Sequence, residues 1–430
     1  MIIAADIVLP LSREPIVDGA VAIEGDRIQA VGPRQEVLAA SASRRVLDFG
    51  HAIVMPGLVN LHTHLEYTDM GPLNESRPFL SWIQGLVAAS RKFSREDWSR
   101  SAKRGVRLLL EAGITCVGDI VTFGPGLEVA LEAGLRGISY VEAVGLRGND
   151  PHEQVADVEQ RLRWAQTLAE GKNLKIGLSP HSVYTLSSKV LEELGRLANE
   201  RQLPLAIHLA ETQAECQLVG AGEGELAEAL RRIGGHDLVS SRGRGISPVE
   251  HIWRSGLLDQ KTLAVHCVHL SEADVALLSD AKADVVLCPW SNRLLQVGDA
   301  PTLRLWQERV RLGVGTDSLA SNFGFDLFSE MRLLRSLCQR QAAVGSGAMP
   351  VPSARDLVQL ATLAGAEILG LGGDIGSLEP GKYADIAVVR APGLAIGDPY
   401  EYLVAQAVRS DILCTIIGGN ITYLASKHGG

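Results

Sequence analysis

PLAIHLAE, residues 204–211, is a short apolar run that turns polar at its C-terminal end, as a buried strand does where it opens onto a surface. The stretch before it, SSKVLEELGRLANERQ (187–202), has helical rather than alternating periodicity. The same couplet recurs in both directions. Further apolar runs are GITCVGDI (113–120), LRGISYVEAV (135–144), LKIGLSPH (174–181), LAVHCVHL (263–270), ADVVLCPW (283–290) and VRLGVGTD (310–317), and SREDWSRSAKRGVRLLLEAG (94–113) is another helical stretch. Strands that alternate with helices form parallel units, and seven or eight in succession predict an α/β fold closed into a TIM-like (β/α)8 barrel. An open doubly wound sheet is the weaker alternative. It usually has a glycine-rich phosphate turn after its first strand, where this chain reads LVNLHTHLE (58–66).

Both ends of the chain have a different texture. ADIVLP (5–10), GAVAIEGDRIQAVG (19–32) and RRVLDFGHAIVMPG (44–57) alternate between turn signals and predict short antiparallel strands. GSLEPGKYADIAVV (376–389) and DILCTIIGGNITY (411–423) repeat that texture. The expected organisation is a small β-sandwich domain built from residues 1–53 and 378–430, flanking a catalytic barrel over 54–377.

Of the 430 residues, 46% are hydrophobic and 21% charged, which suits a globular enzyme and excludes a disordered chain. A net charge of -9 argues against a nucleic-acid partner, since phosphate binding draws on clustered Lys and Arg. The opening MIIAADIVLPLSREP does not read as a secretory signal, and no run of about 18 apolar residues suggests a membrane span. The six cysteines form no CxxC pair, so a zinc knuckle or disulfide framework is not indicated and a reducing cytoplasm is expected. The expected partner is a small-molecule substrate, with a homodimer left open.

In a barrel the C-terminal strand ends form the active-site face, so polar residues that break apolar runs there are the candidates for chemistry. His62 and His64 of PGLVNLHTHLE (56–66) stand two apart on an extended segment and can grip one ion. Taken alone, the pair is equally compatible with two polar strand residues. His208 ends one apolar run, with Glu211 three residues on. In LAVHCVHL, His266 is preferred to His269 because it is the strand's own terminal break. Asp317 ends VRLGVGTD, where an isolated Asp would ordinarily be a helix cap. Several strands in chain order ending in metal-ligand residue types make those ordinary explanations jointly untenable. Neutral imidazoles and a carboxylate suit one divalent ion, Zn2+ or Fe2+, which activates water at neutral pH. Proton transfer still needs a carboxylate, for which Glu211 is the choice, while His266 and Asp317 orient the water and stabilise developing charge.

These motifs, together with CPWSN (288–292), GTDSLASN (315–322) and LEPGKYADI (378–386), resemble the amidohydrolase superfamily, in its branch of cytosine, guanine and adenosine-type deaminases and chlorohydrolases. The resemblance covers nearly the whole chain. It implies one metal ion held by His62, His64, His208 and Asp317, Glu211 as proton shuttle, His266 beside the activated water, and His181 of SPHSVYT (179–185) against the substrate ring.

HTHLE (62–66), RPFLSWI (77–83) and GTDSLASNFGFDLFSEMR (315–332) are most similar to aminodeoxyfutalosine deaminases of menaquinone biosynthesis, which implies hydrolysis of an adenine 6-amino group. The alternatives are S-adenosylhomocysteine or methylthioadenosine deamination, another aminopurine deaminase or a chlorohydrolase. The homocysteine-type enzymes commonly carry an acidic residue shortly before the tryptophan of this segment, where Phe79, Leu80 and Ser81 precede Trp82. Substrate contacts are assigned to Glu66, Trp82, Arg136, Ser318 and Ser321. Each has a structural alternative: a solvated loop position for Glu66, core filling for Trp82, bracing of the barrel for Arg136 and helix capping for the serines. A two-metal site is disfavoured because Lys175 is the only lysine near a strand end. A non-catalytic purine-binding barrel is disfavoured by Glu211, which the metal does not need.

Overall fold

The computed structural model describes residues 1–430 except 42, 44, 74, 146–149, 241, 345–349, 393–396 and 427–430. The first strands are β1 (Ile2–Val8), β2 (Ile16–Glu24), β3 (Arg27–Pro33), β4 (Val46–Asp48) and β5 (Ala52–Pro56). The barrel follows as β6 (Leu58–Thr63), β7 (Ile114–Val121), β8 (Arg136–Ala143), β9 (Leu174–Pro180), β10 (Leu205–Leu209), β11 (Thr262–His266), β12 (Asp284–Leu287) and β13 (Leu312–Val314). The chain returns to the first sheet with β14 (Ile386–Arg390), β15 (Ile412–Ile417) and β16 (Asn420–Leu424).

Among the described residues the eight strands β6 to β13 lie side by side in chain order and all parallel, as the alternating pattern predicts. The interior is plugged by inward residues such as Val59, Leu61, Cys116, Tyr140, Ala206, Val265 and Val286, with Ala366, Leu369 and Ile375 beneath. Helices cover the outside. That of Arg95–Glu111 begins at Ser94, whose hydroxyl accepts from the Asp97 amide while the Asp97 carboxylate accepts from the Ser94 amide. It buries Trp98, Ala102, Val106 and Leu109, the helical stripe read from the sequence.

Between β13 and β6 the ring closes at its upper end. The amides of Thr316 and Asp317 both donate to the His62 carbonyl, at 3.2 and 3.0 Å. Asn60 completes the seam: its Nδ2 donates to Thr316 Oγ1 at 2.7 Å, and its Oδ1 accepts from the Thr316 amide at 3.0 Å. Gly315 permits this approach, because a β-carbon there would sit 2.8 Å from His62 Cβ.

Strands from both termini form the second sheet, in the order β16-β15-β14-β5-β1-β2-β3 with β4 beside β1. Strand alternation gives it two faces. Val54, Ile386 and Val388 enter its own core, while Ile53, Met55, Ala387 and Val389 join the barrel's outer layer. One expectation is corrected. The strands of the first fifty residues are not all antiparallel, since β1 pairs in parallel with β4 and β5. The helix Arg34–Ala40 carries the chain across before β4, so β4 and β5 run in the direction of β1. β5 straddles the expected 53/54 division and ends at Pro56.

Candidate metal centre

Irregular backbone aims the candidate side chains. β6 shifts register against β7 twice, between Leu58 and Val59 and between Asn60 and Thr63. Such bulges re-aim the residues beyond them, so that Leu61 fills the interior while His62 and His64 both reach the barrel mouth. Four non-glycine residues beside the mouth hold left-handed backbone: Ala210 (φ 50°), His266 (φ 73°), Cys267 (φ 49°) and Asp317 (φ 57°). That conformation costs on the order of 1–3 kcal/mol per residue and persists where neighbours fix it. Here the His62 carbonyl holds Asp317, the Leu209 carbonyl holds Cys267, and the Glu215 carboxylate accepts the amides of Ala210 and Glu211 at 3.0 and 2.8 Å.

His62 Nε2 and His64 Nε2 lie 3.4 and 3.5 Å from Asp317 Oδ1, and His208 Nε2 lies 3.4 Å from His64 Nε2. Four donors set tetrahedrally about 2.1 Å from one ion stand about 3.4 Å from each other, so this spacing fits a shared cation. The hydrogen-bond inventory agrees. Both ring nitrogens of His62 are buried without a partner, and burial holds His62 below its ordinary pKa and His64 down at about 3. Burial opposes ionisation of Asp317, but the His62 imidazole 3.4 Å away, with His64 and His266 beyond it, keeps its carboxyl well below the usual range. Neutral imidazoles around an ionised carboxylate are the protonation states a divalent ion requires. Outer contacts fix their orientation: His208 Nδ1 donates to the His181 carbonyl at 3.0 Å, and Asp317 Oδ2 accepts from Ser291 and Ser321 hydroxyls, both at 2.7 Å.

Glu211 and His266 face each other at one side of this cluster, 3.7 Å apart from Oε1 to Nε2. Burial pushes the Glu211 carboxyl up to about 7, against the opposing pull of His266, which suits a group that must both take and return a proton. His266 Nδ1 donates to Asn292 Oδ1 at 2.9 Å, which turns Nε2 towards Glu211. His181 stands against His208, ring centroids 4.8 Å apart, with Nδ1 near the hydroxyls of Ser182 and Thr185.

The other assigned contacts divide. Trp82 is buried and donates from Nε1 to the Ala320 carbonyl at 2.8 Å, tying its helix, Phe79–Ser90, to the segment after Asp317. Ser321 serves Asp317, and Ser318 lies 3.4 Å from the Ser321 hydroxyl. Two of the assigned side chains meet protein groups, Arg136 in the bracing role that was its structural alternative. The buried Glu66 carboxylate accepts from the amides of Thr122, Phe123 and Gly126, so it shapes the loop after β7. Arg136 begins β8, at the end of the barrel away from the mouth, and pairs with Asp385 at 2.7 Å. Removing one member of such a buried pair strands the other, so Arg136→Met is expected to cost about 3–5 kcal/mol of stability. Urea unfolding measures that loss, and kcat/KM of the folded fraction should match wild type.

Glu215, Ser291, Asn292 and Glu142 went unassigned in the sequence. Thr212 caps the helix Gln213–Ala221 by accepting from the Glu215 amide, and this Thr-x-x-Glu spacing was a readable sign that Glu215 organises the turn bearing Glu211.

The amidohydrolase family model matches residues 53–422, and a bacterial imidazolonepropionase-like composite domain matches residues 19–41. A 5-methylthioadenosine/S-adenosylhomocysteine deaminase of Syntrophobacter fumaroxidans is 34% identical, over 94% of this chain and 87% of the relative. Among solved structures, an adenosine deaminase of Xanthomonas campestris with bound zinc aligns with TM-score 0.82 and 27% identity, over 98% of this chain and 92% of that one. Helicobacter pylori aminofutalosine deaminase aligns with TM-score 0.79, over 98% of this chain and 99% of that one; at 20% identity it attests the shared fold alone.

Proposed function

Because the chain belongs to the amidohydrolase family and is a hydrolytic enzyme, we propose that it deaminates an adenine nucleoside, releasing ammonia from the 6-amino position. The observation that carries this reading is the pairing of a four-donor cluster, His62, His64, His208 and Asp317, with a separate carboxylate, Glu211, that the cluster does not use. A Zn2+ or Fe2+ ion bound there supplies Lewis acidity that makes water a nucleophile at neutral pH. Glu211 takes the proton from that water and delivers it to the departing amino group. His266, its ring oriented by Asn292, positions the attacking water, and His181, its ring centroid 4.8 Å from that of His208, borders the substrate ring.

A 5′-thioether nucleoside such as 5′-methylthioadenosine or S-adenosylhomocysteine has the best support as substrate, through the full-length relative at 34% identity. 6-Amino-6-deoxyfutalosine ranks behind it, because only the likeness of short segments such as HTHLE and RPFLSWI favours it. An ammonia-release assay with metal-loaded protein tests the order. The panel is 5′-methylthioadenosine, S-adenosylhomocysteine, adenosine, aminodeoxyfutalosine, guanine and cytosine. The adenine nucleosides should turn over, with the 5′-thioethers highest in kcat/KM. Ammonia from none of them would refute the deaminase assignment.

A further inference from the structure

Along β8, residues Ile138, Tyr140 and Glu142 share a face by strand alternation. Ile138 and Tyr140 pack inside the barrel, so Glu142 faces inward one step nearer the mouth. Its Oε2 accepts from Thr122 Oγ1 at 2.6 Å, while its Oε1 is buried without a partner. Its register partner on β9 is Ser179, on the same face, and that hydroxyl is also buried without a partner. The nearby Arg161 guanidinium does not pair with the carboxylate; it donates instead to the backbone carbonyls of Glu142, Val121 and Thr122. A Glu142 oxygen comes within 4.8 Å of ring nitrogens of both His181 and His208. A free carboxylate oxygen and a free hydroxyl thus lie on neighbouring strands close to His181 and His208, where an unmatched buried group is costly and a ligand donor would relieve it.

Which donor can do so follows from the chemistry of the proposed substrate. The ring nitrogens of a neutral adenine nucleoside are acceptors, and a carboxylate repels them. The base has one donor, its 6-amino group, and that group leaves on the side of Glu211 and His266, carried by β10 and β11. In 5′-methylthioadenosine the donors that remain are the sugar hydroxyls. We propose that Glu142, with Ser179 beside it, binds a ribose hydroxyl of the substrate and makes the enzyme select ribonucleosides over deoxynucleosides. This rests on the nucleoside deaminase reading above.

The test compares wild-type and Glu142→Gln holoenzymes on 5′-methylthioadenosine and its 2′-deoxy and 3′-deoxy analogues. A hydrogen bond to a charged group contributes about 1.5–3 kcal/mol, so wild type should lose roughly tenfold to hundredfold in kcat/KM when the bound hydroxyl is removed. Glu142→Gln should lose a similar factor on the ribonucleoside and little more on that deoxy analogue, so the ribo-to-deoxy ratio collapses towards one. Metal content and melting temperature are measured in parallel, and Glu142→Asp reports the same ratio should the Gln variant misfold. An unchanged ratio, or an equal loss on all three substrates, overturns the proposal. Wild-type activity with a ratio indifferent to Glu142 overturns this inference alone; wild-type silence on every nucleoside overturns the deaminase reading with it.

Discussion

Glu211→Gln is expected to slow turnover by about 10²–10⁴-fold while the protein keeps its full complement of metal. The side chain is nearly isosteric, and the Glu211 amide remains held by Glu215, so the turn should keep its shape. What the amide lacks is the capacity to accept a proton from water and pass it on. The loss should therefore appear in kcat, with little change in nucleoside binding. The pH profile gives a second reading. Burial raises the Glu211 carboxyl to about 7, while a bound cation favours the ionised form and moves it down. Only the ionised form accepts a proton, so wild-type kcat/KM should fall as pH drops through a value at or below about 7, and the variant should lack that limb. Metal loss in the Gln variant would make Glu211 a ligand and undo the assignment.

Stripping the ion with a chelator is expected to abolish activity and to lower the melting temperature, with both restored by adding back Zn2+ or Fe2+. Without a cation the buried imidazoles of His62 and His64 keep desolvated nitrogens that have no hydrogen-bond partner. An ion at 1,000 times its Kd favours the folded state by about 4 kcal/mol, so the midpoint should depend on metal concentration. Asp317→Ala should reproduce the chelated state, since it also releases the Ser291 and Ser321 hydroxyls. Full activity after exhaustive chelation would remove the metal from the mechanism, and two ions per chain by elemental analysis would replace the single-ion site with a binuclear one.

The barrel and its candidate donors were legible in the sequence for a physical reason. Parallel strands buried on both faces read as continuous apolar runs, so a His or Asp at the end of such a run stands out. Position along a strand was harder to read. Arg136 lies in an apolar run like the others, but at its N-terminal end, where its partner Asp385 comes from the far end of the chain. Glu66 comes two residues after His64, yet the amides that converge on its carboxylate belong to a loop nearly sixty residues away. The bulges in β6 and the left-handed backbone at His266 and Asp317 depend on tertiary neighbours and leave no periodic trace. Glu142 was invisible for the opposite reason. One acidic residue in YVEAV is ordinary until its second oxygen is found without a donor.

The seam between the last and first barrel strands bears on how the enzyme is made. Asn60 and Thr316, which lock it, are 256 residues apart, and the proposed cation donors His62 and Asp317 sit directly beside them. A ribosome-bound chain that has emerged only through β12 has three of the four donors but lacks both the fourth and the contacts that draw the ring shut. The proposed four-donor site and the closed ring are therefore both completed only once the chain beyond β13 has been made.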